Sequence, residues 1–202
     1  MLTTQAQGSA GCFNFSDKIV KSLKEPIAPG KNHENIIQSG ELSIKPEGTY
    51  WAAVRGEVAS PIGEILKLLL DPQTTLSHSV SEMNVHDFPL AGFHDDHYLA
   101  HKKIHQVVKP FLFIKVEWDT DWSFARLEGS ADKPKKILVA YEKTAGTSHI
   151  EHLCGNILLQ DLGKDQTDIF QYEEVKATRR SEKDTVQGLL GTLQTLREKI
   201  KK

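Results

Sequence analysis

Residues 110–127, PFLFIKVEWDTDWSFARL, put Leu112, Ile114, Val116, Trp118, Trp122, Phe124 and Arg126 at even positions. A strand turns every second side chain to the same face, so this stretch predicts a long strand with one nearly continuous apolar face. Thr120 interrupts that face, and Asp119-Thr120-Asp121 is where a bulge or bend is expected. Shorter stretches share the strand character: TYWAAVRGEVA from Thr49, VSEMNVHDF, HYLAHKKIHQVV, KILVAYEKT, HIEHLCGNILLQ and TDIFQYEEVKATRR. Turn-rich pieces such as GSADKPKK and LGKDQ separate several of them.

Helical spacing occurs in three places. In SPIGEILKLLLD, Ser60 is a capping residue with Pro61 at the first helical position, and Ile62, Ile65, Leu66, Leu69 and Leu70 form a stripe that ends at Asp71-Pro72. In SEKDTVQGLLGTLQTLREKIKK, Ser181 and Asp184 make a capping box, and Val186, Leu189, Leu190, Leu193, Leu196 and Ile200 share one face. Gly188 and Gly191 in that helix either let it approach a sheet or sit on its surface. Residues 13–25, FNFSDKIVKSLKE, predict a short helix capped by Ser16 with Ile19, Val20 and Leu23 on one side. Pro26, Pro29 and Gly30 end it, and the polar residues to about 40 read as a linker.

The order is strand, helix, six strands, long amphipathic helix. That order predicts an α+β fold: one antiparallel sheet, a meander, with the last helix against one face. No fixed-period repeat is present.

A chain of 202 residues with 39% hydrophobic and 26% charged residues fits one globular domain with a modest extension. A net charge of −2 offers no electrostatic case for nucleic acid or an anionic membrane. No apolar run approaches the roughly 18 residues a transmembrane helix needs. With only Cys12 and Cys154, no disulfide framework is expected. MLTTQAQGSAGC is small and polar but lacks a basic start and an apolar run, so as written it reads as a cytoplasmic tail dispensable for folding. In an exported protein, with a signal upstream of Met1, Cys12 would be available to pair with Cys154 or to carry lipid.

FHDDHYLAHKKIHQ, residues 93–106, holds His94, His97, His101 and His105. On a helix the last three would align for a metal. On the predicted strand each step of four spans about 13 Å, so they do not converge, and no metal or cofactor is expected. Convergence would need partners such as His86, His149 or His152. Cys154 alternates with His152, but side chains two apart on a strand run parallel, which favours a buried structural cysteine over a nucleophile.

Three landmarks carry a wider resemblance: YWAAVRGEVASPIGEILKLLLD, the W-x-x-x-W strand VEWDTDWSF, and the helix after YEEVKATRRS. Over roughly residues 45–202 the chain resembles the START-like superfamily, with the polyketide cyclases and birch-pollen allergens (SRPBCC). The resemblance implies a helix-grip fold, a curved antiparallel sheet wrapped around the C-terminal helix, with a cavity between them for an apolar ligand. It divides the chain into an N-terminal extension, 1–40, and a ligand-binding domain, 41–202. It also implies a partner: a lipid, sterol-like or aromatic molecule, bound or carried. A cyclase or hydratase using the same cavity, or an interaction module with a filled core, are the alternatives.

Under that resemblance the candidate ligand-binding residues are Ile114, Val116, Trp118, Trp122, Phe124, Arg126, Tyr172, Leu189 and Leu193. The aromatic face is either packed core or cavity wall. Arg126 either meets a ligand anion at the rim or pairs across strands with Glu173 or Glu174. Only one of Glu173 and Glu174 faces inward, beside Tyr172 or Arg126, and burial would make it an acid or base. No catalytic residue is assigned.

Overall fold

The computed structural model describes residues 35–42, 48–73, 80–88, 97–111 and 114–201. Its eight strands form one antiparallel sheet: β1 (Ile36–Glu41), β2 (Tyr50–Val58), β3 (Glu82–Asp87), β4 (Tyr98–Phe111), β5 (Ile114–Gly129), β6 (Pro134–Gly146), β7 (Ile150–Gly163) and β8 (Gln166–Ala177). Helix α1 (Ile62–Leu70) follows β2, and α2 (Glu182–Ile200) closes the fold. The spatial order is β1-β2-β8-β7-β6-β5-β4-β3. From β3 to β8 this is the expected meander, and β2 returns beside β8 to complete a curved sheet that grips α2. The helix predicted over 13–25 lies outside the described residues, as do Cys12, His94 and Leu112.

Two expectations are corrected and one is refined. Residues 36–40, read as linker, belong to β1, which pairs with β2 from Ile36↔Arg55 to Glu41↔Tyr50. Helix α1 takes Pro61, not Ser60, as its N-cap, and no side chain caps it. The irregularity expected at Asp119-Thr120-Asp121 is present as a register shift between Asp119 and Thr120 opposite β6, but the extra residue is on β6, between Lys143 and Ala145; Thr120 stays inward, 2% exposed, as the polar interruption of the face.

The sequence builds α2 as its capping box predicts. Asp184 N–H donates to Ser181 Oγ (3.3 Å) and Ser181 N–H to Asp184 Oδ2 (2.9 Å). Leu189, Leu193 and Leu196 are its buried leucines. Leu193 and Leu196 enter a core with Val54, Val58, Ile65, Leu69, Phe124 and Ile169, all of them almost fully buried. Gly56 permits the close approach of α2 to β2: a Cβ there would sit 2.7 Å from Leu193 Cδ2. Arg197 fastens the same crossing, its Nε donating to the Glu57 carbonyl at 3.0 Å. The solid core therefore lies under α1 and the C-terminal half of α2. The N-terminal half of α2 stands over a space.

No helix among the described residues is long and apolar enough to cross a membrane.

Candidate functional site

The space is a cavity of about 710 Å³ between the concave face of the sheet and the first turns of α2. Alternation on β5 supplies one wall: Ile114, Val116, Trp118, Thr120 and Trp122. Leu153 and Ile157 of β7 and Leu189 of α2 supply more apolar surface, and Gly188 leaves room beside them. Ile114 is 37% exposed, the most open of the β5 wall residues.

Five of the nine sequence candidates therefore come together: Ile114, Val116, Trp118, Trp122 and Leu189. Phe124 and Leu193 share their faces but lie deeper, in the packed core, each 0% exposed. Tyr172 is on the opposite face of the sheet, because Glu173 next to it faces in. Its hydroxyl donates to Glu174 Oε1 (2.8 Å) and its ring stacks on Trp51. Arg126 sits farther along β5, opposite Ile137, and is not at the rim. The expected pairing of Arg126 with Glu173 or Glu174 is also overturned: β6 and β7 separate β5 from β8.

The cavity has a polar end, built around Glu173. Glu173 is the inward carboxylate, but its neighbours are Tyr141 and Arg180. The register aligns Tyr141 of β6, Gly155 of β7 and Glu173 of β8 in one row. A Cβ on Gly155 would stand 2.4 Å from the Tyr141 hydroxyl, so only glycine lets the phenol lie across β7. Its hydroxyl then donates to Glu173 Oε2 at 2.9 Å. The chain turns at Arg179, in the left-handed region at φ 64, and Arg180 Nη2 approaches Glu173 Oε1 at 3.4 Å. Trp122 stacks on Tyr141 at 4.6 Å, and its indole N–H donates to Thr120 Oγ1 at 2.9 Å. Gln106, 7% exposed, lies 3.4 Å from that hydroxyl.

Burial pushes the Glu173 carboxyl above its ordinary 4.5, with Arg180 and the Tyr141 hydrogen bond opposing. Burial, then the nearby carboxylate, pushes Tyr141 well above the usual phenol value. For Glu173 the folded chain holds the proton more tightly than the unfolded chain. Its contribution to stability is complete below pH 4.5 and lost as pH rises through the raised value. Glu173→Gln is thus expected to flatten the decline in stability from acidic to neutral pH. Denaturant midpoints across that range check it, and an unchanged slope would show that Glu173 does not titrate this way.

The histidines are dispersed as the strand register requires. His101 packs on Phe88, while His105 Nδ1 meets Asp119 Oδ1 at 2.7 Å. His152 and Cys154 do touch, at 3.3 Å between Nε2 and Sγ, contrary to the parallel-side-chain expectation. Glu174 completes a group of three possible donors within 4.8 Å. Cys154 is disulfide-bonded, however, so the group has no thiolate to offer a metal.

No protein-family model and no curated sequence matches the chain. Solved structures do. The human StarD13 (DLC2) lipid transfer and protein localization domain matches with a TM-score of 0.59 at 8% identity, over 90% of this chain and 92% of that one. A STAR-related lipid transfer protein from Xanthomonas axonopodis gives 0.57 at 12% identity, over 82% and 94%. The Zhui aromatase/cyclase from Streptomyces sp. R1128 gives 0.52 at 9% identity, over 76% and 94%. The fold is START-like: an α+β helix-grip in which the curved sheet wraps the C-terminal helix.

Proposed function

We propose that residues 41–202 form a domain that binds or carries a hydrophobic small molecule in the cavity between the sheet and α2. The observation that carries this reading is the cavity itself. Its volume of about 710 Å³ falls within the ordinary range of small-molecule sites, and its walls are mostly aliphatic and indole surface. The ligand is amphipathic. Trp118 Nε1 and Arg180 Nε are buried donors on cavity-lining residues with no acceptor among the described residues, and a ligand oxygen would answer that lack. Lipid-transfer domains among the structural neighbours support the same reading.

A second reading rests on Tyr141, Glu173 and Arg180. A carboxyl with a raised pKa, hydrogen-bonded to a phenol inside an apolar cavity, can exchange a proton with a bound carbonyl or hydroxyl compound. The aromatase/cyclase neighbour lends it support. Turnover lost in Glu173→Gln while the ligand still binds would favour the enzyme; binding without turnover in the parent favours the carrier.

Titration with an environment-sensitive fatty or aromatic probe tests the proposal. One site per chain is expected. Val116→Trp projects an indole into the cavity from a residue that is 8% exposed, and should weaken the probe while the protein remains folded. The same affinity in a folded Val116→Trp variant would place the probe elsewhere.

A further inference from the structure

Glu173 faces the cavity, so its neighbour Glu174 faces the other side of the sheet. Direct register places Cys154 of β7 and Glu142 of β6 in the same row as Glu174, on that outer face. In a regular strand His152, two residues before Cys154, would run parallel to it. Strand β7 is not regular here. Ile150 pairs with Ala177 and His152 with Lys176, so β7 carries one extra residue beside His152. Such a bulge re-aims the side chains next to it. His152 Nε2 accordingly lies 3.3 Å from Cys154 Sγ and 3.2 Å from Glu174 Oε2, and Sγ lies 3.9 Å from that same oxygen.

These three edges fit a metal ion. Tetrahedral zinc with one sulfur, one imidazole nitrogen and one carboxylate oxygen holds its ligand atoms about 3.3–3.6 Å apart. Hydrogen bonding alone explains the triangle less well, because Nε2 has at most one hydrogen and faces two neighbours. The carboxylate is also braced as metal ligands are: the Tyr172 hydroxyl donates to Glu174 Oε1 at 2.8 Å and turns Oε2 toward the other two donors. A pocket of about 390 Å³, lined in part by His152 and Cys154, opens beside the triangle and gives an ion entry and a water its fourth position. The charged walls of that pocket are Glu142, Glu151 and Lys143, and the nearby Lys176 ammonium is answered by Glu151 at 2.8 Å.

The triangle lacks only its thiolate, because Cys154 is disulfide-bonded. We propose that His152, Cys154 and Glu174 form a redox-gated zinc site, shut while the disulfide stands and filled by one zinc ion once it is reduced. A dithiol passes two electrons and two protons to the bond, which leaves Cys154 and its partner as thiols, and is itself oxidised to a disulfide. Zinc then replaces the Cys154 proton, so one proton is released as the sulfur–zinc bond forms. The site lies on the face opposite the cavity, and its test does not depend on a ligand bound there.

Calorimetric titration of the full, untagged chain with zinc chloride tests this, before and after reduction by a phosphine, which unlike a dithiol does not compete for the metal. The reduced chain should take up one zinc and the oxidised chain none. Cobalt(II) in place of zinc should give a thiolate-to-metal charge-transfer band in the near ultraviolet after reduction only. Cys154→Ser and His152→Gln should each abolish the band. Tyr172→Phe keeps all three ligands and should weaken zinc by about 10–100-fold. Circular dichroism on every sample shows that the chain is folded, and His152→Gln, at a half-buried position, serves if Cys154→Ser is not. A reduced, folded parent that binds no zinc would overturn the proposal. So would a reduced chain that stays unfolded with zinc present, zinc bound equally by the oxidised chain, or undiminished binding in folded His152→Gln.

Discussion

Phe124→Ala is expected to destabilise the protein by about 3–5 kcal/mol and to leave probe binding in place. The side chain is 0% exposed and packs among the residues gathered beneath α1 and α2. Removing the ring forfeits its transfer free energy and leaves a void that a rigid sheet cannot close. Phe124 lies on the same face of the same strand as Trp122, yet only Trp122 lines the cavity. Urea unfolding with a probe titration on the same samples separates the two roles. A loss below about 1 kcal/mol would mean that the site relaxes, and a loss of probe affinity in the folded variant would move Phe124 into the binding wall.

Asp168→Ala should cost a comparable amount, about 3–5 kcal/mol, for an electrostatic reason. Asp168 accepts from Arg55 Nε at 3.1 and 3.0 Å through its two oxygens, and Arg55 Nη2 lies 2.8 Å from Oδ2. The two side chains are 6% and 10% exposed. Losing the carboxylate leaves a desolvated guanidinium without the partner that answers two of its nitrogens. Arg55→Met combined with Asp168→Leu should recover much of that loss, because an apolar pair removes both desolvation penalties. Chemical denaturation of the single and double variants measures both effects. If the double variant is as weak as the single one, packing rather than charge holds that row of the sheet.

The parity of β5 was legible in residues 114–126, because an inward face next to a core must be apolar. Parity says which way a side chain points, but not how far along the strand the opposing helix makes contact. Hence Trp118 and Phe124 were equivalent in sequence and are not equivalent in the fold. The capping box at Ser181 and Asp184 was equally plain, since both partners are three residues apart. Tyr172 was misplaced for the opposite reason: β8 is buried on both faces, so its sequence shows no alternation to read.

The polar end of the cavity was the least visible part. Glu173 was a candidate, but its partners come from β6 and from the turn after β8, and their meeting depends on a register that sequence does not state. One signal was there to be used. Gly155, inside the strand HIEHLCGNILLQ, carries no side chain where a neighbour might need space. That neighbour is Tyr141.

Methyl-resolved NMR of the protein titrated with a fatty probe tests the central claim most directly. Saturable one-to-one shifts are expected at Ile114, Val116, Leu153, Ile157 and Leu189, which line the cavity. Leu196, fully buried in the solid core, should respond little. Shifts confined to exposed Ile36, Ile37 or Leu127, or none at saturating probe, would contradict it.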